Sequence, residues 1–77
     1  MNSSKQRHLS IRHRLALANS SFSEIARNLN LSHTTVIAVS NGRSRSARVA
    51  TEIANALSTK PHNLWPEIYP PQGDDEP

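Results

Sequence analysis

The chain has 77 residues, of which 35% are hydrophobic, and it contains no cysteine. A chain of this length builds one small core and cannot enclose a deep substrate cavity, so we expect no second domain and no enzymatic activity. The lack of cysteine excludes disulfides and thiolate zinc sites, and no apolar run approaches the roughly 20 residues of a membrane-spanning helix. We therefore expect a cytoplasmic protein.

Charge is distributed unevenly along the chain. There are nine Lys and Arg residues against six acids, and three of the acids are Asp74, Asp75 and Glu76. Residues 1–73 therefore carry nine basic and only three acidic side chains, a net charge of +6. Such a surface attracts polyanions, with ordinary solvated surface charge as the alternative interpretation.

Helical periodicity dominates the middle of the chain. Apolar residues at spacings of three and four predict helices over residues 8–18, 22–29, 33–39 and 47–57, and Pro61 begins a short helical turn that ends near Trp65. The expected fold class is all-α, a domain of four to five helices. Trp65 and Tyr69 are expected to cover its core as a lid.

The two ends of the chain differ in composition from this helical part. Residues 1–7 are polar and serine-rich and predict a flexible basic arm. Residues 71–77 combine proline with acids and predict a disordered acidic tail. The helical domain is therefore expected to span residues 8–70.

Local signals mark several helix ends. Residues 21–24 form the S-x-x-E pattern of a capping box at the start of the second predicted helix. Asn30 tolerates the left-handed conformation that closes a helix, and Ser32 is a good N-cap for the next one. Asn41 and Gly42 end that helix, and either Ser44 or Ser46 caps the fourth.

Residues 23–39 have the spacing of a helix-turn-helix. Ala26 is small where the two helices cross, Val36 and Val39 pack the second helix against the first, and Leu31 adds to this contact. This arrangement presents the first turn of the second helix to the major groove of DNA. The candidates for contact with base edges are Ser32, His33, Thr34, Thr35 and Ser40.

Basic residues follow this helix directly, where a DNA backbone would pass. The candidates for contact with phosphates are Arg43, Ser44, Arg45 and Arg48, together with Lys5 and Arg7 on the predicted arm. Solvated charge is the alternative for each group, and it applies most strongly to the arm.

Two stretches of the chain resemble a known family. They are FSEIARNLNLSHTTVIAVSNG and IANALSTKPHNLWPEIYP, and they resemble the Ner-like regulators of transposable bacteriophages, within the lambda-repressor-like helix-turn-helix class. The likeness spans residues 9–70 and is most specific in the second stretch. Asn30 stands where glycine is usual, and asparagine can adopt the same backbone conformation. The resemblance implies a small all-α protein that binds DNA through the helix from Ser32 and represses or modulates transcription, with repression the expected role. A cytoplasmic protein that binds DNA in this way is expected to associate with the nucleoid.

Other functions fit these residues less well. His8 and His13 are five residues apart and no acid joins them, so we expect no metal and no other cofactor. An antitoxin-like protein-interaction module would need a spare apolar helix face, and RNA binding would need aromatic residues within the basic regions. The expected partner is double-stranded DNA, bound by a homodimer or by two copies on adjacent half-sites, with no membrane and no small-molecule substrate involved.

Overall fold

The computed structural model describes residues 3–70, which form five α-helices in this part of the chain. Helix α1 spans Ser3–Leu17, α2 spans Phe22–Leu29, α3 spans His33–Ser40, α4 spans Ala47–Ala56 and α5 spans Pro61–Leu64. The described residues contain no strand, so the expected all-α fold is confirmed. None of these helices has the length and apolar character needed to cross a bilayer.

Helix α1 begins earlier than its sequence predicts. It starts at Ser3, so residues 3–7 are helical and do not form the flexible arm expected of them. Two side-chain contacts hold this end of the helix, because Arg7 pairs with Glu67 at 2.6 Å and His8 contacts Ser40. Both partners are distant in sequence, which is why local composition gave no sign of them. The expected acidic tail at 71–77 lies outside the described residues.

One hydrophobic core lies between all five helices. Its buried members are Ile11, Leu15, Phe22, Ile25, Ala26, Val36, Val39, Val49, Ala50, Ile53, Ala54, Leu64 and Trp65. Trp65 is fully buried, and its Nε1 donates a hydrogen bond to the carbonyl oxygen of Ser40 at 3.2 Å. The Trp65 ring also meets Tyr69 edge to face, with centroids 5.7 Å apart. Trp65 is therefore a central core residue, whereas the sequence predicted a lid.

The helix caps follow the sequence with two corrections. Ser21 Oγ accepts a hydrogen bond from the Glu24 amide at 3.1 Å, but the Glu24 carboxylate pairs with Arg27 at 2.9 Å and does not reach back to complete the capping box. Ser46, and not Ser44, caps α4, because Ser46 Oγ accepts from the Val49 amide at 3.2 Å. Leu31 is also more exposed than expected, at 37%, and so adds little to the core.

Candidate nucleic-acid interface

Helices α2 and α3 form a helix-turn-helix with a tight, defined turn. Asn30 adopts the left-handed conformation expected of it, with φ 60° and ψ 42°, and its amide donates to the carbonyl oxygens of Ala26 and Arg27. The Leu31 amide also donates to the Ala26 carbonyl oxygen, at 2.9 Å. Ala26 is buried between the helices, where a larger side chain would push them apart. The turn therefore fixes the direction in which α3 leaves α2.

The first turn of α3 presents a polar, exposed surface. Ser32, His33, Thr34 and Thr35 are all exposed, as a DNA-reading role requires. Ser32 Oγ accepts from the Thr35 amide at 3.2 Å and lies 2.9 Å from Thr35 Oγ1, so these two hydroxyls hold each other in place. The side chains of His33 and Thr34 make no hydrogen bond within residues 3–70, which leaves their polar atoms available to a ligand.

Ser40 does not belong to this surface, and its assignment as a base-edge candidate was wrong. It is fully buried, and its Oγ lies 2.8 Å from His8 Nδ1 on α1. Because Ser40 follows the buried Val36 by four residues, it lies on the inward face of α3, one turn further along. This spacing was visible in the sequence and identifies Ser40 as a core position.

The loop between α3 and α4 carries three exposed arginines. Arg43, Arg45 and Arg48 make no hydrogen bond or ion pair through their side chains with residues 3–70, and Ser44 is exposed beside them. The backbone of the loop is held at both ends, because the Arg43 amide donates to the Ala38 carbonyl oxygen at 3.0 Å and the Ser46 amide donates to the Tyr69 hydroxyl at 2.9 Å. A fixed loop whose guanidinium groups have no partner within residues 3–70 is suited to binding phosphates.

Gly42 is required at the start of this loop. Its φ of +82° lies in the left-handed region, and a Cβ added there would lie 3.3 Å from Ile68 Cδ1. Any other residue at this position would therefore have a strained backbone, and its side chain would crowd Ile68. The sequence signal at Asn41 and Gly42 correctly predicted the end of α3, and the contact with Ile68 adds a second reason for glycine.

Lys5 and Arg7 lie on α1 and so are not part of a flexible arm. Lys5 is exposed, whereas Arg7 is half-buried and forms its ion pair with Glu67. The hydrogen bond from Arg7 lowers the pKa of the Glu67 carboxyl. Arg7 thus has a structural partner that connects α1 to the segment after α5.

A cavity of about 240 Å³ lies at the other end of α3 from the arginine loop. It is formed between α1 and the starts of α2 and α3, and its polar lining residues are Arg12, Ser20, Ser21, Ser23 and His33. Arg12 makes no hydrogen bond or ion pair within the described residues. Sequence reasoning missed Arg12 as a contact candidate, because the cavity combines three segments that no local pattern links.

His8 connects α1 to both helices of the motif. Its ring stacks on Phe22 with centroids 5.0 Å apart, and its Nδ1 contacts Ser40. Burial of the ring, followed by the charge of Arg12, lowers the pKa of His8. Both effects favour the neutral imidazole at this position.

A family model described as winged helix-turn-helix DNA-binding matches residues 8–76. No curated protein and no solved structure matches the chain. Since residues 3–70 contain no strand, the part of the chain that the structure describes has no β-wing. The match covers well over half of the 77 residues and agrees with the helix-turn-helix formed by α2 and α3. The chain therefore belongs to the winged helix-turn-helix DNA-binding family.

Proposed function

We propose that the chain is a sequence-specific regulator of transcription that reads the major groove of double-stranded DNA with α3. One observation carries this proposal: the exposed polar turn at the start of α3 lies between two cationic groups that make no hydrogen bond or ion pair within residues 3–70. Arg12 lines the cavity beside His33, and the arginine loop follows the other end of the helix. Such a helix can contact bases while the cations on either side contact the phosphates.

Specificity is assigned to the side chains at the start of α3. Thr34 offers a hydroxyl to base edges and a methyl group to thymine, and His33 donates or accepts according to its tautomer. These contacts are not the bidentate type that arginine makes with guanine. The discrimination that each provides against a wrong base is therefore near the lower end of the range of about 1–3 kcal/mol per base contact. DNA shape then contributes part of the specificity.

Affinity is assigned mainly to the phosphates. Arg12, Arg43, Arg45 and Arg48 together neutralise up to four of them. With about 0.9 counterion released per phosphate, a log–log plot of the binding constant against salt concentration has a slope of about −3 to −4.

Two copies are required for useful specificity, because a single α3 spans only a few base pairs. We propose that they occupy adjacent half-sites, as a homodimer or by assembly on the DNA. The repressor role follows from the likeness in sequence to Ner-like regulators and from the ability of a bound protein to block polymerase by occupancy alone.

The alternative, a protein-interaction module, has less support. The large hydrophobic residues with most exposure are Leu17 at 72%, Leu9 at 49% and Leu31 at 37%. Leu9 and Leu17 are about 12 Å apart along α1, at a rise of about 1.5 Å per residue, and Leu31 is in the turn before α3. They do not form the continuous apolar face that a partner helix would cover.

Two substitutions test the proposed division of roles. Arg45→Ala is expected to weaken binding to every duplex alike and to make the salt slope shallower by about 0.9. Thr34→Ala is expected to narrow the difference in affinity between the selected and a scrambled duplex while leaving the salt slope unchanged. Titration of both duplexes by fluorescence anisotropy at several salt concentrations measures both quantities. The reverse pattern would show that the two roles are exchanged, and wild-type protein that binds no duplex would refute the proposed function.

A further inference from the structure

A second polar cavity lies outside the helix-turn-helix, between α4 and the segment that follows it. Its volume is about 270 Å³, and the polar side chains that line it are Thr51, Lys60, His62 and Tyr69. Thr51 lies in the first half of α4, and the other three belong to residues 60–70. None of these four residues is among the contacts to DNA that the sequence predicts.

The chemistry of this lining suits an anion. Among the described residues that line the cavity, Lys60 is a cation and none is acidic. The side chains of Thr51, Lys60 and His62 make no hydrogen bond or ion pair within residues 3–70. Tyr69 accepts a hydrogen bond from the Ser46 amide, which leaves its own hydroxyl proton available for donation. An ammonium group, two hydroxyl donors and an imidazole N–H around one concave space match the acceptor oxygens of a phosphate.

The cavity directly adjoins the arginine loop. Ala47, which lies between Arg45 and Arg48 in sequence, forms part of its wall. The hydrogen bond of 2.9 Å between the Ser46 amide and the Tyr69 hydroxyl joins the loop to a second lining residue. A nucleic-acid backbone that follows the arginines of the loop therefore reaches this cavity next.

We propose that this cavity binds a phosphate of the DNA backbone, beyond the contacts made by the helix-turn-helix and the arginine loop. The proposal rests on the proposed function, since it extends the surface that binds DNA. It assigns Lys60 the charge contact and Thr51 and Tyr69 the neutral hydrogen bonds. The phosphate bound here lies outside the segment read by α3, so the contact adds affinity without sequence preference.

Lys60→Gln is the principal test. Lys60 is exposed and makes no capping hydrogen bond to α5, so its replacement is expected to leave the fold intact, as checked by circular dichroism. Loss of one phosphate contact makes the salt slope shallower by about 0.9. The affinity advantage of the wild type over the variant is then about three- to fourfold smaller in about 200 mM salt than in about 50 mM salt.

Arg14→Gln is the matched control. It removes the same charge but lies beside Leu17 and Leu57, at the C-terminal ends of α1 and α4. The residues around Arg14 form a separate surface that shares no lining residue with the cavity. The control is expected to leave the salt slope unchanged. If Lys60→Gln and Arg14→Gln changed the salt slope equally, Lys60 would act only through the net charge of the protein. That result would overturn the proposal.

Duplexes with a single neutral methylphosphonate locate the contact. The wild type is expected to lose affinity when one particular phosphate outside the arginine-loop contacts is neutralised, and Lys60→Gln is expected to be insensitive to that same change. If wild-type protein binds DNA and the two proteins respond identically at every position, this proposal fails while the proposed function stands. Binding of inorganic phosphate to Thr51 and Lys60, followed by NMR, together with that identical response, would assign the cavity to a free phosphate compound and overturn its role in DNA binding.

Discussion

Replacing Ser40 with alanine separates a structural role from a role in reading DNA. The substitution removes the 2.8 Å contact between Ser40 Oγ and His8 Nδ1. A hydrogen bond of this kind contributes about 0.5–1.5 kcal/mol to the free energy of unfolding. Alanine recovers up to about 0.5 kcal/mol through its higher helix propensity, so from the central value of about 1 kcal/mol for the bond the net loss is about 0.5–1 kcal/mol. For a domain of this size, that loss lowers Tm by about 2–8 °C.

Thr34→Ala is the comparison for this experiment. Thr34 is exposed and its side chain makes no hydrogen bond within residues 3–70, so Tm is expected to change little. Loss of a weak base contact, worth about 1 kcal/mol, narrows the affinity ratio of specific to scrambled duplex about fivefold.

Thermal denaturation followed by circular dichroism, together with titration of both duplexes well below Tm, measures the two effects. Ser40→Ala is expected to lower Tm and to leave the affinity ratio of specific to scrambled duplex unchanged. Loss of sequence preference in Ser40→Ala without a fall in Tm would refute the assignment of Ser40 to the inward face of α3.

Three further predictions follow from buried or strained positions. Trp65→Phe removes the donor to the Ser40 carbonyl oxygen and leaves that buried acceptor without this partner. The free energy of unfolding measured in urea is therefore expected to fall by about 1–3 kcal/mol. An unchanged free energy would contradict the role given to this hydrogen bond. The lowered pKa of His8 implies a contribution to stability that is fully present above pH 6.5 and is lost as the pH falls through the lowered pKa. The urea midpoint of the wild type is therefore expected to decline in this pH range, and His8→Gln is expected to make that decline less steep. An equally steep decline in the variant would show that other groups cause it. Asn30→Ala is expected to lower stability by about 1–2 kcal/mol and Asn30→Gly to preserve it, because the residue has φ 60°; equal stability of the two variants would argue against the left-handed turn.

Local sequence patterns predicted most of the helical framework. Apolar spacing located α2 at 22–29 and placed the ends of α3 and α4 within one residue of those observed. Asn30 and Ser32 marked the turn between α2 and α3, where the backbone and the cap take the conformations expected. These features depend on residues that are close together in sequence, which is why a single sequence sufficed to predict them.

The remaining features depend on contacts between distant segments. The start of α1 depends on Arg7 meeting Glu67, some sixty residues later. The two polar cavities likewise combine helix starts and loops that are far apart in sequence, so Arg12 and Lys60 carry no local signal of their position. Ser40 is a different case, because its spacing from Val36 already placed it on the buried face of α3.

Selection of bound duplexes from a random library tests the central claim most directly, namely that α3 reads DNA sequence. The wild type is expected to enrich one motif built from two similar half-sites, and Thr34→Ala is expected to lose base preference at one position within each half-site. Binding without enrichment would show a protein that recognises only the DNA backbone. Recovery of no duplex, or an identical motif for Thr34→Ala, His33→Ala and wild type, would contradict the assignment of sequence reading to α3.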